Sequence, residues 1–149
     1  MASWTIAHAG ALCATHSIFV KLLLSLTLRV YQYLEWDEKR KESVETNKRV
    51  IEAQKAQLNE AEFAPLIVVM AFYLAMNENS LTTNTQQQVA LAGASLAAVG
   101  NILYVYYRPT LGYPNPGIIA IAAGRYLGMV LMASQIWIVV TALAKNQEA

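Results

Sequence analysis

Lys55-Ala56-Gln57-Leu58-Asn59-Glu60-Ala61-Glu62-Phe63-Ala64-Pro65-Leu66 joins a charged segment to an uncharged run that extends from Phe63 to Met76. A helix needs about 20 residues to cross the hydrocarbon of a bilayer. A span ending near Asn77 must therefore begin near Gln57, inside the polar stretch, which draws Asn59 and Glu62 within the membrane boundary. An ionisable group there costs roughly 2.5–3.5 kcal/mol at mid-bilayer, less near the surface, and such groups face a bundle interior or a wet cavity. On a helix Lys55, Asn59 and Glu62 fall at i, i+4 and i+7, so a cation, an amide and a carboxylate share one face. That face is the candidate site.

Outward from this stretch, the charge is unevenly placed. Of the 21 charged residues, 14 lie between Glu35 and Glu62, and the long stretches on either side are almost bare. With 56% hydrophobic residues, this is the distribution of a small multi-pass membrane protein. A length of 149 residues without an internal linker fits one domain. The expected architecture is an all-α integral membrane protein, a bundle of four transmembrane helices spanning about 6–34, 57–77, 88–107 and 117–144, with a polar loop at about 35–56. The start of the chain lacks the basic residues of a signal peptide, so the first span is expected to be retained.

Several chemistries are excluded at this level. A formal net charge of +1 gives no clustered basic surface for nucleic acid. A single cysteine, Cys13, rules out an internal disulfide, and His8 and His16 are not at the i, i+4 spacing that chelates metal from one helix. The common nucleotide, zinc and serine-hydrolase motifs do not occur.

Taken in order, the first span contains Lys21 and Arg29 and ends near Tyr31, Tyr33 and Trp36, an aromatic belt to which Arg29 can snorkel. The segment before the second span is rich in helix formers from Ser43 onward, and Pro65 should kink that span. Asn77 to Gln88 is a turn-rich loop without lysine or arginine. Tyr104, Tyr106, Tyr107 and Arg108 close the third span, Pro109 to Gly117 breaks the helix, and the last span contains Arg125. Basic residues in the first and third loops, and none in the second, place both loops on the cytoplasmic side and both termini opposite. The ladders Ala120, Gly124, Gly128 and Gly93, Ala97 permit close helix approach, within one chain or between chains.

The Lys55 to Leu66 string resembles the [RK]-A-x-x-N-x-x-E-x-x-P signature of the MAPEG family, the membrane-associated proteins of eicosanoid and glutathione metabolism. Gly112-Tyr113-Pro114-Asn115-Pro116 is similar to the connection before the last helix in microsomal glutathione transferases. The resemblance implies a homotrimer in an intracellular membrane such as the endoplasmic reticulum, with glutathione bound between subunits at the cytoplasmic side. It implies that Lys55 and Asn59 meet the carboxylates and backbone of glutathione, that Glu62 meets its amino group, and that Tyr104 and Arg29 stand near the ligand. Active members carry an arginine at the start of the last span, where this chain has Gly117, so Arg108 and Arg125 are the candidate catalytic cations. Two readings remain open: a glutathione-dependent transferase or peroxidase acting on lipophilic electrophiles or lipid hydroperoxides, and a non-catalytic accessory subunit of a larger membrane assembly. A small transporter is a third, weakened by the lack of an internal repeat.

Overall fold

In a computed structural model of the protein, residues 4–34 and 48–147 are described. Four long helices account for nearly all of them: α1 (Ile6–Leu34), α2 (Lys48–Met76), α3 (Asn84–Leu111) and α4 (Pro116–Gln147), with one 3₁₀ turn at Glu78–Ser80. Each is long and apolar enough to cross a membrane. No strand occurs among the described residues.

α1 has the expected bounds, whereas the other three helices outrun the spans expected from hydropathy, because a membrane helix need not stop where charge begins. α2 starts at Lys48, inside the expected polar loop of 35–56, on residues that favour helix; the rest of that loop, 35–47, lies outside the described residues. α2 also runs through Pro65 unbroken. α3 begins within the expected 77–88 loop because Thr83 caps it: Gln86 N–H donates to the Thr83 hydroxyl, and Thr83 N–H donates to the Gln86 side chain. Pro109 does not end α3, which continues to Leu111; Gly112, at φ 71°, stops it and donates its N–H to the Arg108 carbonyl. Asn115 caps α4, accepting the Gly117 N–H at 2.9 Å, and Pro116 takes the first helical position.

Residue pairings show an antiparallel sequence of helices. Gly10 lies against Ala71, and Gln57 donates to Ser25, so α1 and α2 run in opposite directions. The Glu52–Arg108 pair and the Gly93–Gly128 contact do the same for α2 with α3 and α3 with α4. The C-terminal end of α1, the N-terminal end of α2 and the α3–α4 connection thus lie at one end.

The α3–α4 seam is the most extensive, and the small residues explain why. A Cβ on Gly128 would stand 2.5 Å from Ala97 N and 2.6 Å from Gly93 O, both backbone atoms that cannot swing away. This is close small-residue packing within one chain. Of the expected ladder in α4 only Gly128 makes the approach; Ala120 is exposed, and Gly124 has room for a Cβ. Of the buried positions of α4, Ile118, Arg125, Met132 and Val139 recur every seven residues, with Gly128 and Gln135 at the intervening places, so Arg125 occupies the interior stripe.

Candidate functional site

Arg125 is the largest fully buried side chain, at 1% exposure, and the site is assembled around it. From α2, Asn59 Oδ1 accepts from Nη2 at 2.8 Å; from α3, Asn101 Oδ1 accepts from Nη1 at 3.2 Å. The guanidinium carbon lies 4.1 Å from the ring centre of Phe63, 4.7 Å from Tyr104 and 5.1 Å from Tyr126. Nη2 also donates to the Tyr126 hydroxyl at 3.5 Å, so amide oxygens, a hydroxyl and ring faces solvate the cation, each offering partial negative charge. No carboxylate among the described residues pairs with it. Two donors are left over: Arg125 Nε and Asn101 Nδ2 are both buried without a hydrogen-bond partner. Orphaned buried donors are uncommon, and here they sit beside an uncompensated positive charge. This donor set suits an anionic acceptor such as a carboxylate or thiolate.

Toward the end of the bundle the chemistry changes. Arg108 Nε donates to Glu52 Oε2 at 3.0 Å, Nη1 donates to the Tyr104 hydroxyl, and Lys55 Nζ donates to Glu52 Oε1 at 3.2 Å. Glu52 is thereby held between two cations. Tyr104 connects the two regions, since its ring also faces Arg108, at 5.4 Å.

The expected residues divide accordingly. Asn59, Tyr104 and Arg125 come together; Arg108 stands next to them, bound to Glu52; Lys55 joins only through Glu52 and is largely exposed. Glu62 is exposed and makes no hydrogen bond or ion pair among the described residues. The reason is angular. At about 100° per residue, Lys55 and Glu62 lie about 40° and 60° from Asn59 on its outer side, and Ala56 lies about 60° on its inner side. Asn59 is therefore the inward edge of the expected face. Arg29 falls in α1, but its side chain lies outside the described residues.

Four participants escape a reading based on the Lys55–Asn59–Glu62 face: Asn101, Glu52, Phe63 and Tyr126. Asn101 had a legible signal, because it lies four and seven residues beyond Ala97 and Ala94 on the buried stripe of α3, within an uncharged run. Glu52 is legible as the i, i+3 ion-pair partner of Lys55, which the structure shows, but its pairing with Arg108 is not, since many charges share that segment. Among the described residues no group of His, Cys, Asp and Glu side chains could hold a metal ion. Compared with family models, with curated proteins and with solved structures, the chain matches none.

Proposed function

We propose that this chain is a glutathione-dependent membrane transferase or peroxidase in which Arg125 is the cation at the reacting sulfur. The observation that supports this reading is the buried Arg125 guanidinium with amide and aromatic partners, a free Nε and, among the described residues, no carboxylate. The resemblance of the Lys55–Leu66 string to the MAPEG signature supplies the ligand. Glutathione brings a thiol nucleophile, and a cation held in a dry site favours its anionic form. Arg125 would hold that negative charge. Asn59 and Asn101 orient the guanidinium, while Phe63 and Tyr126 keep water from it. Lys55 is placed for an outer carboxylate of the tripeptide. Arg108, already engaged by Glu52 and Tyr104, shapes the entrance instead of holding the sulfur. On this reading the basic first and third connections are cytoplasmic, the host is an intracellular membrane such as the endoplasmic reticulum, and lipophilic substrates enter from the bilayer.

A second reading is favoured by Glu62, which faces outward from a membrane-length helix without a partner among the described residues. A carboxylate in that position suits contact with a neighbouring subunit, either in a homotrimer or in a larger assembly where the chain is accessory.

Calorimetry of glutathione binding to the full chain in detergent, with ultraviolet difference absorbance to follow the thiolate, separates the two. Saturable binding with thiolate present near neutral pH, lost in Arg125→Met, is the expected result. An intact oligomer that binds no glutathione overturns the transferase reading and leaves the accessory one.

A further inference from the structure

The seam between α1 and α2 contains a second polar cluster that the reading above does not use. Ile6, Ala9, Cys13 and Val20 are buried on α1 at helical spacing, and His16 occupies the remaining position of that stripe. On α2 the facing stripe contains Ala56, Glu60, Ala64, Ile67 and Ala71, all buried. One imidazole and one carboxyl therefore meet at the same level of an otherwise small and apolar seam. His16 Nδ1 lies 3.7 Å from Glu60 Oε1, the Glu60 side chain has no exposure, and that of His16 has 10%. Both oxygens of Glu60 and both ring nitrogens of His16 lack a hydrogen-bond partner.

Two unsatisfied titratable groups at this separation would be expensive as independent ions in a membrane-length bundle. A single proton resolves the conflict. On the carboxyl it leaves two neutral groups; on the imidazole it makes a compensated ion pair; and a movement of under an ångström closes the hydrogen bond in either form. The surroundings suit exchange between the two. The Ser17 hydroxyl stands near Glu60 without reaching hydrogen-bond geometry, and the Lys21 ammonium and the Cys13 thiol, also on α1, interact with it electrostatically. From α3, the Tyr106 ring meets the His16 ring edge-on at 5.4 Å. Among the described residues no other charged group faces the pair.

We propose that Glu60 and His16 form a proton-binding site inside the bundle, in which one proton is shared between the carboxyl and the imidazole across the α1–α2 seam. The transfer breaks the carboxyl O–H bond as the imidazole N–H bond forms, and uptake of a second proton from water leaves both groups protonated. In that state the imidazolium has lost its counter-charge, and the seam between α1 and α2 loosens. The inference does not depend on glutathione.

The test uses the full chain in detergent, with His8→Gln as background so that His16 is the remaining histidine. Nitrogen-15 histidine resonances and the infrared band of protonated carboxyl groups are followed over a pH series. The expected result is that the imidazole and the Glu60 carboxyl change over the same pH interval, and that Glu60→Gln moves the His16 midpoint by about one pH unit or more. His16→Gln should move the carboxyl band attributable to Glu60 in the same series, which keeps the test intact if Glu60→Gln does not fold. An imidazole midpoint indifferent to Glu60→Gln, or a carboxyl band indifferent to His16→Gln, overturns the proposal.

Discussion

Arg108 lies in the last turn of α3 with the Glu52 carboxylate 3.0 Å from its Nε, whereas Arg125 lies in the interior of α4 with two amide oxygens, the Tyr126 hydroxyl, three ring faces and, among the described residues, no carboxylate. The two guanidiniums share one tyrosine, Tyr104. Toward the end of the bundle the Glu52 carboxylate engages both Arg108 and Lys55, so Arg108 already has an anionic partner although the cluster keeps a net positive charge. Inside, dipoles and π faces make the cation tolerable without neutralising it, and Arg125 Nε keeps an unused donor. The two arginines differ in the nature of their partners, and on that difference Arg125 is proposed as the functional one.

This contrast can be broken by substitution. Arg125→Met should reduce glutathione-dependent turnover by about 10²–10³-fold, the size seen when a preorganised group at developing charge is removed. Arg108→Met should leave most of the turnover; equal losses in steady-state assays would erase the distinction. Glu52→Gln comes next. It removes a charged acceptor from both Arg108 and Lys55, and a stability loss of about 1.5–3 kcal/mol is expected in thermal or denaturant unfolding. The same variant should bind more anionic ligand at the mouth, because Arg108 is released. Gly128→Ala tests the seam that positions Arg125: its Cβ would collide with the α3 backbone, and overpacking of this kind costs about 1–3 kcal/mol. Its activity should fall with its stability, whereas Arg125→Met loses activity without a matching loss in melting temperature. Lys55→Ala should have the smallest effect. Its partly solvated pair with Glu52 contributes no more than about 0.5 kcal/mol, so unfolding should barely change while half-saturation by glutathione rises a few-fold.

Much of the fold was legible before any coordinates. The four helices follow from charge-poor stretches of membrane length, and the small residues of α3 and α4 announced a close approach. Helix ends were less legible, because Thr83, Gly112 and Asn115 set them through capping bonds and not through hydropathy. The site was legible in part. Asn59 was legible from its place on the Lys55–Glu62 face and Arg125 as a charge inside the last span, whereas Tyr104 was expected there only from the resemblance; all three meet. Glu60 did not stand out, since its neighbours Asn59 and Glu62 drew the eye to another face. Only the position of α1 shows that a carboxyl one residue beyond Asn59 points into a different seam.

The sequence by itself determined which segments are helical, how long they are and where a charge would be costly, because these depend on composition and on the period of one helix. Which side chains face one another depends on how the helices are rotated and how closely they approach. The tertiary structure alone decided that Arg125 is matched with Asn59 and Asn101, that Arg108 is matched with Glu52, and that Glu60 is matched with His16. Glycine at 128 is part of the physical reason. It lets α4 settle onto the α3 backbone, and Gly100 of α3 does the same directly opposite Arg125, whose backbone and Cβ lie where a side chain at 100 would begin.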